Sequence, residues 1–162
     1  MSGFQSIPRA GPWSAETLEA YCRETIIPLR VSCIAPTQYP IVMSLWTVWQ
    51  DGHFWCAVQE DSRLARYCHK NARCGYELAA DAPPYRGLRG TADAELVSEA
   101  GPDILKQLIQ RYLGEEKSEL AQWLLSRVET EVALRLTPRR VFTWDYSKRM
   151  KKVAHADRHT TV

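Results

Sequence analysis

The stretch Pro40-Ile-Val-Met-Ser-Leu-Trp-Thr-Val-Trp-Gln-Asp-Gly-His53 decides how this chain folds. Ile41–Trp49 is dense in β-branched and aromatic residues, which suit a pleated, half-buried surface. Gln50-Asp51-Gly52 follows as a turn, because Asp-Gly supplies the positive φ of a tight hairpin. His53–Gln59 returns as the partner strand. Trp46 and Trp49 are an odd number of residues apart, so they fall on opposite faces of their strand. One face then belongs to a core and the other to a cleft or a subunit contact.

Working outward, Leu29–Ala35 reads as a short strand ended by Pro36. Before it, Ser14 can cap a helix over 15–26 whose Leu18, Tyr21, Cys22 and Thr25 share a face. Ser62–Asn71 reads as a helix with Leu64, Tyr67 and Cys68 as its apolar stripe. Cys74–Ala80 alternates as a strand. Tyr85–Val97 is a longer one, with Gly87 and Gly90 marking a bulge or a close backbone approach. Pro102 opens a helix over 102–113 that Gly114 stops. A second helix covers about 117–128 with Leu120, Trp123, Leu124 and Val128 inward. Glu131–Thr137 and Arg140–Asp145 are final strands on either side of Pro138. Residues 1–13 read as an N-terminal arm, 14–146 as one domain and 147–162 as a basic C-terminal tail. Hairpin-linked strands with few helices predict a mainly β (α+β) domain whose antiparallel sheet closes, or half closes, into a small barrel. Alternating βαβ units are absent, which disfavours a doubly wound sheet.

The 162 residues suit one domain, and 45% hydrophobic with 25% charged is an ordinary globular balance. The net charge is +2. Eight Lys/Arg against Asp145 and Asp157 make residues 135–162 +6, leaving residues 1–134 at −4. That distribution offers no basic groove for nucleic acid, even with tryptophans available for stacking. No apolar run reaches the ~18–20 residues of a membrane helix. Met1–Trp13 lacks the pattern of a secretory leader. Five cysteines (22, 33, 56, 68 and 74) form no C-x-x-C. They read as reduced thiols in a cytoplasm, and no metal is expected. His155 and His159 have the i, i+4 spacing of helical metal ligands, against the simpler reading of a solvated tail. Neither G-x-G-x-x-G nor a P-loop occurs.

The junction Gln59-Glu-Asp-Ser-Arg-Leu-Ala-Arg66 is the most suggestive place for chemistry. A helix N-terminus offers free N–H groups and a positive dipole end. Ser62 adds a hydroxyl, and Arg63 and Arg66 add forks for phosphate oxygens. The simpler alternative is that Asp61 or Ser62 only caps the helix and the arginines are solvated.

The order of four pieces resembles the pyridoxamine 5'-phosphate oxidase-like family of flavin-binding split β-barrels. The pieces are the Pro40–Gly52 hairpin, Asp61–Arg66 with His69-Lys-Asn-Ala-Arg73, Pro84-Tyr-Arg-Gly-Leu-Arg-Gly-Thr-Ala92 and Thr137–Asp145. The resemblance covers about residues 15–146. It implies an antiparallel split β-barrel with flanking helices, assembled as a homodimer with FMN in clefts at the subunit interface. By position, Val42, Met43, Ser44 and Leu45 would line the ring system and Val58 the ribityl chain. Ser62, Arg63 and Arg66 would hold the phosphate. Tyr85 or Arg86, and Trp144, would approach from the other subunit. The activity implied is oxidoreduction of a small molecule. Members commonly carry lysine near position 64, where this chain has Leu64, and that departure raises a deazaflavin as the alternative cofactor. A non-enzymatic flavin- or haem-binding member is the other alternative. Pyridoxamine phosphate oxidation itself is not expected, because the oxidase's substrate-phosphate pattern is missing. Chemistry supplied by a flavin needs no Ser–His–Asp triad, and His53, His69, His155 and His159 form none.

Overall fold

The computed structural model describes residues 3–114 and 117–151. Its strands are β1 (Arg9–Ala10), β2 (Leu29–Ile34), β3 (Pro40–Leu45), β4 (Val48–Gln50), β5 (His53–Gln59), β6 (Arg73–Ala79), β7 (Arg86–Val97) and β8 (Glu131–Asp145). Its α-helices are α1 (Ala15–Glu24), α2 (Arg63–Lys70), α3 (Gly101–Leu113) and α4 (Glu119–Leu125). The sheet runs β3-β2-β6-β7-β8-β5-β4, with β1 parallel to β8 and every other pair antiparallel.

The two ends of that path are one stretch of chain. β3 pairs β2 at one edge, β4 pairs β5 at the other, and only Trp46 and Thr47 separate them. The strand expected over 41–49 is therefore broken, and the break joins the edges into a barrel split along one seam. The backbone freed at the break is satisfied from outside the sheet. The Tyr112 hydroxyl accepts from the Thr47 N–H (3.2 Å) and donates to the Ile27 carbonyl (2.8 Å), while its ring stacks on Trp46 at 4.9 Å. The Thr47 hydroxyl donates to the Trp55 carbonyl, so this threonine is buried with its polar groups paired.

The hairpin turn is as the sequence predicts. Gln50 pairs His53 across Asp51 (φ 53°) and Gly52 (φ 80°), a two-residue turn with both φ positive. The barrel interior is filled by alternate residues: Leu29, Val31 and Cys33 on β2, Phe54, Cys56 and Val58 on β5, Tyr76 and Leu78 on β6, Leu134 and Leu136 on β8. Gly90 gives the close approach expected of it. A Cβ there would run into the Arg140 carbonyl and the Tyr76 ring, whose hydroxyl donates to that carbonyl.

Three sequence expectations are corrected. β8 is one strand through Pro138, because this proline lies beyond the last β5 pair and beside a bulge, where Ala92 faces Pro138 and Thr91 faces Arg140. α4 is shorter than expected, and Leu120 and Trp123 are exposed. Ala121 is the α4 residue buried against α3, in one cluster with Leu105 and Ile109. The break of the 41–49 strand is the third. Residues 3–13, the N-terminal arm, supply part of the core. Phe4 is fully buried and stacks on Trp49 at 4.4 Å, and the Trp13 indole N–H donates to Asp145. Trp46 and Trp49 do face opposite ways, Trp49 into the barrel and Trp46 toward α3. His155 and His159 lie outside the described residues, as does the tail beyond 151.

Replacing Tyr112 by Phe keeps the ring on Trp46 but leaves the Thr47 N–H unpaired. Y112F should lose about 1–3 kcal/mol of stability, read from urea midpoints.

Candidate functional site on the split-barrel surface

Ser62 caps α2 as a capping serine does: its hydroxyl oxygen accepts from the Ala65 N–H at 3.2 Å. Arg63 and Arg66 follow on the outward side of the first turn. Both are exposed, and neither guanidinium group has a hydrogen-bond or ion-pair partner among the described residues. Leu64 points the other way and is 2% exposed in the barrel core. A lysine at 64 in this frame would bury its ammonium, so the cations available at the corner are Arg63 and Arg66.

Alternation divides the expected ring-binding residues. Val42 (65% exposed) and Ser44 face out, while Met43 and Leu45 turn toward the interior. The Val58 side chain belongs to the core. The outward residues join two rows that cross five strands. One runs Val42, Ser32, Gly75, Thr91, Arg140; the next runs Ser44, Arg30, Glu77, Arg89, Phe142. Gly75 has no side chain in the middle of the first row, and the result is a groove of about 540 Å³. Its cations differ in availability. Arg30 is held by Asp81 (2.6 Å) and Glu77 (3.6 Å). Arg89 lies over the rings of Phe142 and Trp144 at 5.0 and 5.4 Å and has no carboxylate partner among the described residues, nor has Arg140. The groove is therefore electropositive with apolar walls, a surface suited to a flat, anionic molecule.

The structure thus brings Val42 into one groove with Arg89, Arg140 and Phe142, and sets Trp144 against Arg89. Ser62, Arg63 and Arg66 do not line that groove. Tyr85 is exposed, and Arg86 lies over Tyr21 at 5.8 Å. Arg89, Arg140 and Gly75 were missed by sequence reasoning. Their only signal was the alternation along β6, β7 and β8, which assigns faces but not neighbours.

The likeness to known proteins lies in this frame. A conserved hypothetical protein from Mycobacterium tuberculosis superposes with a TM-score of 0.71 at 21% identity, over 93% of this chain and 92% of that one. A putative pyridoxamine 5'-phosphate oxidase from Listeria innocua superposes with a TM-score of 0.55 at 9% identity, over 72% and 86%. The fold is the split β-barrel of the pyridoxamine 5'-phosphate oxidase-like proteins. An F420 reductase shares it, with a TM-score of 0.65 at 18% identity over 80% of this chain and 97% of that one. No protein-family model matches the sequence, and no curated protein does.

Thiol chemistry has no foothold in this split barrel. All five cysteines are free and buried, and burial pushes Cys56, Cys68 and Cys74 up to about 12, with Cys22 and Cys33 also raised. They stay protonated at neutral pH, and the thiol is the unreactive form. Among the described residues, no three His, Cys, Asp or Glu side chains are grouped to hold a metal, and no helix is long and apolar enough to cross a membrane. Ellman's reagent at pH 8 should label almost no thiol in the native protein and five per chain in concentrated guanidinium.

Proposed function

We propose that this protein is an FMN-dependent oxidoreductase acting on a small molecule, working in the cytoplasm as a homodimer whose second subunit completes each cofactor cleft. The observation that carries this reading is the pair of exposed, unpartnered guanidinium groups, Arg63 and Arg66, at the capped start of α2. A cationic pair beside free helix N–H groups is what a terminal phosphate needs.

FMN, when bound, supplies two-electron chemistry of its own. The chain's part is to bind and orient. Arg63, Arg66 and the first turn of α2 would hold the phosphate, with the Ser62 hydroxyl hydrogen still free to donate after its oxygen has capped the helix. Val42 and Ser44 would present the outer edge of β3 to the ring system. Met43, Leu45 and Val58 would act from beneath, by fixing the course of β3 and β5. Trp144 and Tyr85 would close the cleft of the opposite subunit across the electropositive face. Covering that face would also bury Val42 and Phe142, which stand exposed on the isolated chain.

A deazaflavin in place of FMN is the second reading, favoured by the F420 reductase among the structural neighbours. Leu64 no longer argues for it, because that position faces the core. A non-enzymatic flavin- or haem-binding role is the remaining alternative.

Purified protein should quench FMN fluorescence at micromolar concentration, and tenfold tighter binding of FMN than of F420 would retire the deazaflavin reading. Arg63→Ala should weaken FMN at least tenfold and leave riboflavin, which lacks the phosphate, within about twofold. Equal losses for both ligands would remove Arg63 from the phosphate site.

A further inference from the structure

The carboxylates around the β-sheet groove are all committed, and two of its cations are left over. Glu77 lies directly across β6 and β7 from Arg89, yet its carboxylate goes to Arg30, which also holds Asp81. Asp93, further along β7, is held by Arg139 through Nε and a terminal nitrogen. Arg89 and Arg140 have no carboxylate among the described residues. These two are also neighbours. Arg89 faces Phe142 and Thr91 faces Arg140, so Arg89 and Arg140 form a diagonal pair across β7 and β8. Diagonal positions lie ~7–8 Å apart, within reach of long side chains. Like charges so placed repel, and an anion between them turns the repulsion into attraction.

Both cations are set in place before any ligand arrives. The Arg89 guanidinium rests over the Phe142 and Trp144 rings. The backbone under Arg140 is held by the Tyr76 hydroxyl, which donates to the Arg140 carbonyl, and Gly90 admits that carbonyl because it has no Cβ. Donors already positioned lose less freedom when they take up an acceptor. Between Arg140 and Val42 the floor is Thr91, Gly75 and Ser32. The Ser32 and Thr91 hydroxyls bond to no other group among the described residues.

We infer that the substrate of the proposed flavin reaction is a small planar carboxylate, held with its carboxylate between Arg89 and Arg140 and its flat body along the floor toward Val42. Guanidinium forks match a carboxylate through paired hydrogen bonds. Phe142 and Val42 give the hydrocarbon body apolar walls. The groove's volume of about 540 Å³ lies within the ~300–1,000 Å³ of small-ligand sites. Arg63 and Arg66, which take the phosphate in the flavin reading, do not line this groove, so the anion that Arg89 and Arg140 lack is a second one. Its standing as substrate rests on that reading, with the flavin ring at the Val42 end of the same cleft.

The test uses the full chain with FMN added and two probes alike in shape and different in charge, benzoate and benzyl alcohol. Calorimetry gives the affinities, and the amide resonances of Gly75 and Gly90 report binding in the groove by NMR. Benzoate should bind saturably, at least tenfold tighter than benzyl alcohol, and should shift both resonances. Arg140→Gln and Arg89→Gln each remove one charge and should erase most of that preference. Arg140→Lys keeps the charge and should retain at least a threefold preference. Both side chains are exposed, and if one variant fails to fold the other decides. Equal affinity of the two probes for the wild-type protein, or no saturable binding, overturns the inference; the two guanidinium groups are then neutralised by protein in the assembled dimer. An undiminished preference in the glutamine variants overturns it too. FMN fluorescence, read on the same samples, separates the two claims. Quenching without a benzoate preference sinks the carboxylate and spares the flavin. Absence of quenching sinks the flavin reading, and the substrate assignment with it.

Discussion

A single tyrosine hydroxyl lets this barrel be both closed and split. A strand that leaves one edge of a sheet and arrives at the other must break its ladder on the way. The backbone at the break then faces the usual requirement that buried N–H and C=O groups be paired. Here the pairing comes from α3, whose Tyr112 reaches the Thr47 N–H and the Ile27 carbonyl together. The Trp46 ring stacks on the same tyrosine. One residue of a surface helix thereby holds both sides of the seam, and everything that opens onto the seam inherits its position from that contact.

The seam also explains why the molecule has two unlike faces. On one side, β3 continues the sheet and presents Val42 to a groove flanked by Arg89 and Arg140. On the other, the divergence of β3 from β5 leaves a space that α3 and α4 cover with leucines around Glu131. The first carries the cations Arg89 and Arg140; the second carries the buried Glu131 carboxylate. β3, six residues long, borders both, with Val42 on the first and Ser44 and Leu45 on the second.

Much of the fold was legible in the sequence because it depends on short-range rules. Asp51-Gly52 specifies its turn through the φ angles it can adopt, and Ser14 and Ser62 specify helix starts through their hydroxyls. Apolar periodicity located the buried faces of α1, α2 and α3. The candidate site was legible in part. The exposed cations of α2 were found from a helix start, and the outward Val42 from alternation. Arg89, Arg140 and Gly75 were not found, because each becomes significant only beside residues far away in the chain. The same holds for α4: its sequence carries apolar residues on several sides, and packing against Leu105 and Ile109 of α3, not periodicity, selects Ala121 for burial.

By itself, then, the sequence determined local conformation: which segments extend, where they turn, which residues start helices and which strand positions share a side. Those choices rest on φ/ψ preference, capping and side-chain period, all settled within a few residues. Only the tertiary structure decided that the 41–49 strand must break, that Pro138 lies within a strand, that Phe4 is core and that Glu131 is buried. Each of these depends on what a distant segment does to the backbone or side chain in question, and no local preference carries that information.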